Sequence, residues 1–367
     1  MASLFRWAKT VFRRAPWPPL RFPTTSFDII SDAQLLDEEQ FEEGFKKGIC
    51  YPVNIGDVFA SKYQVIGKLG CGVTSTVWLA RDLQTALETF TIPRPDGDHT
   101  CLVQKPMWET FRDIRYLLPD GLFTEELLKA SLKQLFLALD YLHTECKLVH
   151  TDIKADNLLS QIEDNSILDA FTKAEMEHPS PRKTVDGVTV YASRQLQVPN
   201  FFGESVLSDF GSAVRGDEKR NHDAGPRIYR APEVMIEAAW SYPVDIWNVG
   251  VMVWDLFEGK HMFNCNDPDG KEYSTRAHLA EVIGLLGPPP LDLLKQGVRS
   301  SEFFDEDGNR IAEMPIPPHT SLEESELRLE GKNKEMFLEL MRGMLQWRPE
   351  DRKTAKQLVE DPWLIME

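Results

Sequence analysis

The sequence predicts an α+β fold in two parts, a strand-rich part near the N-terminus and a longer, mainly helical part after it. Two pairs of β-rich stretches flank turn-forming residues between positions 63 and 103. Downstream, leucine and phenylalanine recur at helical spacing from Leu128 to Leu142, and residues 243–257 form an almost wholly apolar run. The predicted fold class is therefore α+β.

Each pair of stretches has its own turn signal. Residues 63–69 and 76–80 flank the glycine-rich segment 70–75, and residues 89–92 and 100–103 flank a Pro-Asp-Gly turn. Two hairpins are expected here.

The helical part begins with a recognisable start signal. Thr124 is an N-cap residue, and the two glutamates after it favour the positive end of a helix that is expected to end near His143. Residues 243–257 predict a buried helix, and a last helix is expected from about Lys334. Residues 160–205 are polar and proline-containing, and we interpret them as an insertion.

Composition limits the classes of partner. The chain has 367 residues, of which 42% are hydrophobic and 27% charged, as in folded soluble proteins. Its formal net charge of -17 argues against direct binding to nucleic acid or to an anionic membrane, and it favours basic partners. No apolar run approaches the roughly 18 residues that a membrane span requires.

The first 50 residues are expected to be a disordered extension that is first basic and then acidic. Residues 1–27 contain arginine and lysine but no acidic residue, which is also typical of a mitochondrial transit segment. Prolines at positions 16, 18 and 19 would end a helix early, so a basic tail is the preferred interpretation. Five scattered cysteines without a C-x-x-C pair fit a reducing compartment, the cytoplasm or the nucleus.

The residues that carry chemistry follow the first long helix. Asp152, Lys154 and Asn157 share one loop of sequence His-Thr-Asp-Ile-Lys-Ala-Asp-Asn. In phosphoryl transfer, a carboxylate accepts the proton of a substrate hydroxyl, a lysine neutralises the transferred phosphate and an asparagine binds a metal ion. Asp209, in a Ser-Asp-Phe-Gly motif after two apolar residues, can direct a second carboxylate at Mg²⁺.

Three further motifs complete the set. Tyr-Arg-Ala-Pro-Glu ends at Glu233, and Arg-Pro-Glu-Asp-Arg ends at Arg352, which we predict to pair with Glu233. Asp245 lies in the apolar run, where a lone carboxylate needs hydrogen-bond donors. Each motif is weak alone, but five in this order and spacing are specific.

With these motifs the chain resembles the eukaryotic protein kinases from about Tyr51 to its C-terminus. Residues 226–233 and the Leu-Leu-Gly-Pro-Pro-Pro stretch at 285–290 are similar to the group that contains the cyclin-dependent, MAP and SR-protein kinases. Within that group the chain resembles the fungal-type SR-protein kinase branch. The stretches that carry this likeness are 51–59, 75–82, 139–143 and 150–152, with Thr151 where most kinases have arginine.

The resemblance implies a two-lobed kinase-like fold. A small β lobe would span residues 51–107, and a mainly helical large lobe would span 108–367 and include the insertion at 160–205. It implies a serine/threonine kinase that uses ATP and Mg²⁺ and acts on basic, arginine/serine-rich proteins, with RNA-processing factors among the expected partners. Because Thr151 replaces the usual anchor of a phosphorylated activation loop, activity is not expected to depend on loop phosphorylation.

The resemblance also implies roles for individual residues. Asp152 would be the catalytic base, Lys154 the cation that contacts the phosphate, and Asn157 and Asp209 the Mg²⁺ ligands. The implied nucleotide-binding residues are Gly70 and Gly72 in the phosphate loop, Leu69, Val77 and Leu159 around adenine, and Lys105 and Met107 at the hinge.

One part of the kinase pattern is missing. In the family, a third strand carries a lysine for the α- and β-phosphates, and the helix after it carries a glutamate that holds this lysine. Here residues 81–83 run directly into residues 85–92, which resemble the fourth strand. Lys68 is expected to face away from adenine if Leu69 faces it, because side chains alternate along a strand, and Lys105 lies at the hinge.

The missing segment has two expected consequences. Loss of one preorganised electrostatic contact typically lowers the rate by about 10² to 10³. Without the strand and the helix, apolar surface would be uncovered and the small lobe would have low stability.

Three interpretations remain open. The chain is an active kinase, as the complete set of large-lobe residues favours, or a non-catalytic pseudokinase that serves as a binding or scaffold module, as the missing lysine favours. The third is a truncated splice form or gene model of a complete kinase, which the good matches on both sides of the junction favour. As written, the chain is expected to be weakly active at best.

Overall fold

The structure is a computed structural model that describes residues 17–36, 50–72, 75–83, 89–94, 97–267, 272–311, 314–317 and 321–366. Contacts divide the chain into two units. The first is drawn from the residues up to Met107 together with Ile162–Phe202, and the second from Trp108–Gln161 together with Gly203–Glu367. Among the described helices, none is long and apolar enough to cross a membrane.

The strands are short and fall mostly in the N-terminal half of the chain. They are β1 (Val58–Phe59), β2 (Tyr63–Cys71), β3 (Thr76–Asp82), β4 (Thr89–Ile92), β5 (His99–Leu102), β6 (Met107–Thr110), β7 (Leu148–Val149), β8 (Leu158–Gln161), β9 (Arg182–Val185), β10 (Val188–Tyr191), β11 (Ser205–Leu207) and β12 (Val214–Arg215).

The helices follow mainly in the second unit. They are α1 (Phe111–Arg115), α2 (Glu125–Tyr141), α3 (Ser166–Glu177), α4 (Pro232–Met235), α5 (Pro243–Glu258), α6 (Thr275–Leu286), α7 (Leu291–Leu294), α8 (Leu322–Ser325), α9 (Gly331–Met344), α10 (Ala355–Val359) and α11 (Pro362–Ile365). The predicted start of α2 is confirmed, since the Thr124 side chain accepts a hydrogen bond from the Leu127 amide. The predicted helix over 243–257 is confirmed as α5.

The two predicted hairpins belong to separate sheets in the first unit. Strands β1, β2 and β3 form one antiparallel sheet, and β4 pairs with β5 in another. Aromatic side chains connect the sheets, because the Phe90 ring of β4 stacks on Tyr63 and Phe59 at centroid distances of 5.9 and 6.4 Å. Part of the junction between β3 and β4, residues 84–88, lies outside the described residues.

The insertion is part of the first unit rather than of the helical part of the chain. Helix α3 packs against β2, and Phe171 forms a buried cluster with Ile66 and Leu79. At Gly67 the strand and the helix approach so closely that a Cβ atom would lie 2.7 Å from the Phe171 ring. Helix α3 thus covers part of this sheet, whereas Val77 and Leu102 remain exposed, so the expectation of uncovered apolar surface stays a prediction for the rest of the unit.

Other parts of the insertion also bind the sheet. The Lys68 side chain is 1% exposed, and its Nζ donates to the Tyr191 carbonyl at 3.1 Å. Across the same region, the rings of Trp78 and Tyr191 meet edge to face with centroids 5.8 Å apart. The hairpin of β9 and β10 thus fastens the insertion to both long strands.

Described residues of the N-terminal extension contact this unit as well. The Leu20 amide donates to the Gln64 side chain, and the Gln64 amide group donates back to the Leu20 carbonyl. Ile29 forms a parallel bridge with Arg182 of the insertion. Residues 17–36 are thus bound to the sheet and to the insertion, which differs from the expected disordered extension, whereas residues 1–16 and 37–49 lie outside the described residues.

Apolar helices form the core of the second unit. Helix α5 is buried from Val244 to Phe257, since it lies among other helices rather than at their edge. The Phe337 ring contacts Phe257 and Trp363 at centroid distances of 5.1 and 5.0 Å, which links α5, α9 and α11. Beside the helices, a three-stranded sheet has the order β11–β8–β6.

This core contains a histidine without access to solvent. The ring of His278, on α6, lies against Phe263 and Tyr273 at centroid distances of 4.9 and 5.9 Å. Burial, followed by the nearby Arg230 charge, lowers the pKa of His278 to about 3. The side chain is therefore neutral in the folded protein at any pH near neutrality.

We predict that truncation of Phe171 destabilises the first unit selectively. Phe171→Ala should lower its free energy of unfolding by about 3 to 5 kcal/mol, because it removes a buried ring and leaves a cavity over β2. Hydrogen exchange of β2 and β3 amides measures this. Met176→Ala, on the same helix at a side chain that is 38% exposed, is the control, and equal effects of the two changes would contradict the packing described.

We also predict a pH dependence of stability from His278. Its folded pKa lies below the unfolded value of about 6.5, so the unfolded chain binds a proton first as the pH falls. Stability present above pH 6.5 should be lost toward pH 3, by up to about 1.4 kcal/mol per pH unit. Denaturant unfolding of His278→Leu should show a shallower pH slope between pH 4 and 6.5 than unfolding of the unsubstituted chain, and an equal slope would contradict the prediction.

Candidate active site

The two predicted catalytic residues and one predicted metal ligand meet in the loop between β7 and β8 of the second unit. Lys154 Nζ lies 2.8 Å from Oδ2 of Asp152. Asn157 Nδ2 donates to the same Oδ2 at 2.9 Å and to the Asp152 carbonyl at 2.8 Å. A lysine and an amide thus fix one carboxylate, an arrangement that suits the acceptance of a hydroxyl proton beside a phosphate-binding cation.

The two predicted metal ligands lie at one edge of the sheet. Strands β8 and β11 are antiparallel with Leu158 opposite Leu207, so Asn157 at the start of β8 is close to Asp209 just past the end of β11. The Ser208 amide donates to the Asn157 carbonyl at 2.9 Å, which holds the two segments together. Amide and carboxylate oxygens are the hard ligands that Mg²⁺ prefers alongside substrate phosphates, so these residues fit that ion.

A buried aspartate holds the catalytic loop. Asp245 of α5 is fully buried, and its carboxylate accepts the backbone amides of His150 and Thr151 at 2.8 Å each. His143 Nε2 lies 2.9 Å from the same carboxylate. Asp245 therefore has the hydrogen-bond donors that the sequence required, although His143 was identified in the sequence only as a helix end.

Thr151 occupies an unusual backbone conformation. Its φ of 70° lies in the left-handed region, which is costly for a β-branched residue. Besides its amide bond to Asp245, its hydroxyl donates to the Ser212 carbonyl at 3.0 Å. Nearby, His150 Nε2 lies 2.9 Å from the Ser208 carbonyl. The loop is thus joined directly to the Asp-Phe-Gly segment by a threonine hydroxyl and a histidine ring.

Side-chain contacts fix the segment 226–233 at Tyr229 and at Glu233. The Tyr229 hydroxyl donates to Asp255 at 2.8 Å, and burial, followed by the charge of Asp255, raises the pKa of Tyr229. His261 Nδ1 lies 2.7 Å from the same carboxylate, and this hydrogen bond raises the pKa of His261.

At the end of that segment, the predicted pair of Glu233 and Arg352 is confirmed. Arg352 Nη1 and Nη2 donate to the two Glu233 oxygens at 2.7 Å each, and both side chains are fully buried. This pair connects the Ala-Pro-Glu segment to the C-terminal part of the second unit.

Most predicted nucleotide-binding residues lie in the first unit. Leu69 packs on the buried cluster around Phe171, whereas the Val77 side chain is 47% exposed. The turn between β2 and β3 is held by a hydrogen bond of 2.8 Å from the Gly72 amide to the Ser75 carbonyl. Among the described residues, a side chain at Gly70 would meet no atom within 4 Å.

The remaining predicted residues are placed as follows. Lys105 is exposed and Met107 is half-buried at the start of β6, while Leu159 is half-buried in β8 of the second unit. Close to the hinge lies Glu109, which the sequence did not identify as a candidate site residue. Burial raises the pKa of Glu109, and the neighbouring Asp113 charge raises it further.

Comparisons with known proteins agree with this geometry. A model of the protein kinase domain matches residues 200–364. A serine/threonine protein kinase of Aspergillus fumigatus is 39% identical, with 96% of this chain and 97% of the relative covered. The chain belongs to the serine/threonine protein kinases.

Other relatives indicate the type of kinase. A serine/threonine-protein kinase SRPK of Physarum polycephalum is 27% identical over 89% of this chain and 91% of its own length. The mouse dual specificity kinase CLK2 is 27% identical over 63% of this chain and 41% of its own. The kinase is thus of the SR-protein kinase-like type.

A solved structure carries the same fold. The crystal structure of a kinase domain aligns with a TM-score of 0.63 at 19% identity, and it covers 86% of this chain and 99% of its own length. At this identity the likeness extends to the fold alone.

We predict that removal of Arg352 destabilises the second unit strongly. Arg352→Met should lower its free energy of unfolding by about 3 to 5 kcal/mol, because Glu233 would remain buried without its partner. Arg348→Met is a matched control, since Arg348 also binds a carboxylate through two nitrogens, but with Asp292 at the exposed surface. Chemical denaturation followed by hydrogen exchange measures both variants, and a similar loss in each would contradict the prediction.

Proposed function

We propose that this kinase transfers the γ-phosphate of ATP to serine or threonine residues of basic, arginine/serine-rich proteins. The observation that carries the proposal is the loop cluster of Asp152, Lys154 and Asn157, in which one carboxylate is held by a cation and an amide. In this arrangement Asp152 accepts the hydroxyl proton of the substrate, and Lys154 balances charge on the transferred phosphate. Asn157 and Asp209 would hold Mg²⁺, which neutralises charge on the nucleotide phosphates when it is bound.

Charge supports the substrate class. The net charge of -17 attracts cationic segments and raises their rate of encounter. The relatives named SRPK and CLK2 belong to the SR-protein kinase-like type. The resemblance of the sequence to this type implies arginine/serine-rich substrates. RNA-processing factors with such segments are the proposed partners.

The alternative function is that of a pseudokinase that binds partners without phosphoryl transfer. It is favoured by the stretch 81–93, which follows the glycine-rich strand and contains no lysine. The alignment with the Aspergillus relative extends over 399 positions, more than the 367 residues of this chain, so the relative has residues without counterparts here. A truncated form of a complete kinase would have the same property.

Turnover on a defined peptide tests the proposal. The full chain, with Mg²⁺ and labelled ATP, should phosphorylate an arginine/serine-rich peptide slowly, about 10² to 10³ times below a kinase that has the strand lysine. Asp152→Asn should abolish this turnover, because it removes the proton acceptor while it keeps the shape of the side chain. Asp307→Asn, at an exposed turn, should leave it unchanged.

Each contrary result has one meaning. ATP binding without turnover in the unsubstituted chain would support the pseudokinase. Turnover that persists in Asp152→Asn would contradict the catalytic assignment, and equal phosphorylation of acidic and arginine-rich peptides would contradict the substrate class.

A further inference from the structure

The insertion brings an arginine beside the glycine-rich strand. The Arg194 amide donates to the Lys68 carbonyl at 2.9 Å, on the strand that leads into Gly70 and Gly72. The backbone of residue 194 is therefore hydrogen-bonded to β2 at a position two residues before the first of these glycines. A main-chain contact of this kind fixes the starting point of the arginine side chain.

A buried glutamate of α3 orients this arginine. Glu175 is 1% exposed, and its Oε2 accepts Arg194 Nε at 2.9 Å. The carboxylate also accepts the Ser180 amide and hydroxyl at 2.7 Å each, so it cannot rotate without the loss of these bonds. Arg194 Nη2 donates in addition to the His178 carbonyl. The guanidinium is thus held at two of its three nitrogens.

The remaining part of the guanidinium is accessible. The Arg194 side chain is 25% exposed, and its Nη1 has no hydrogen-bond partner in the part of the chain that the structure describes. A planar guanidinium with accessible N–H groups is suited to phosphate oxygens. Glycines allow phosphates to approach the backbone closely, and a side chain at Gly70 would contact no atom of the described residues.

Lysines of the same strand region are engaged elsewhere. Lys68 is buried, and its ammonium donates to the Tyr191 carbonyl. The Lys62 ammonium lies over the Tyr63 ring, 4.7 Å from its centroid, and its side chain is buried. Neither lysine can reach a phosphate without the loss of these contacts, whereas Arg194 can keep its bond to Glu175.

We propose that Arg194, oriented by Glu175, binds the phosphates of the nucleotide at the glycine-rich strand. It would thereby supply, from the insertion, the phosphate-binding cation that the missing strand lysine would provide. The inference rests on the proposed binding of ATP. If the ion pair served only to fasten the insertion, its loss would lower stability without any selectivity for phosphorylated ligands.

Paired ligands test this assignment. Titration of the full chain with MgATP and with adenosine, followed by calorimetry, separates phosphate contacts from base contacts. Arg194→Met should weaken MgATP binding about tenfold or more and change adenosine binding less than about twofold, because only ATP offers the charged acceptors. Arg194→Lys should retain part of the MgATP affinity, and Glu175→Gln should weaken MgATP in the same direction by loss of orientation.

The control is Lys173→Met, on the solvent side of α3 with a side chain that is 74% exposed, which should bind both ligands like the unsubstituted chain. Thermal unfolding of each variant identifies any that fail to fold, and Arg194→Lys then carries the comparison. Equal weakening of both ligands by Arg194→Met, or none, would overturn the proposal while ATP binding by the unsubstituted chain stands. If the unsubstituted chain binds neither ligand, the proposed function fails as well.

Discussion

The catalytic region depends on one buried negative charge. Asp245 lies in an apolar helix, where an ionised carboxylate is stable only if donors replace its lost hydration. Those donors are two consecutive amides of the catalytic loop and a histidine ring. The need to solvate this charge therefore holds Thr151 in its left-handed conformation, and through it sets the direction of Asp152 and the residues that follow.

The first unit meets a similar requirement by different means. Glu175 is as buried as Asp245, and it is satisfied by a serine and by Arg194. Each unit thus contains an acid that connects a helix to a functional backbone segment. In the second unit this acid belongs to a helix with a clear apolar signature, whereas in the first it belongs to an insertion of polar composition.

This difference explains what the sequence could predict. The hairpins, the start of α2 and the extent of α5 follow from local turn residues, an N-cap and an apolar run, all of which act over a few residues. The pair of Glu233 and Arg352 was predictable because motif order indicated it. The position of 162–202 was not, since the sites where Phe171 and Tyr191 dock lie about a hundred residues earlier, and a helical period in the insertion does not indicate which surface the helix covers.

The discontinuity of the first unit has a consequence for synthesis of the chain. Its sheet ends before residue 108, yet Phe171, Glu175 and Arg194, which complete its core, emerge from the ribosome only after α2 and the catalytic loop. N-terminal domains usually fold first during translation, but the first unit of this protein cannot do so before its insertion has been made. The glycine-rich hairpin must wait, with Ile66 and Leu79 uncovered, until the catalytic segment has already been made.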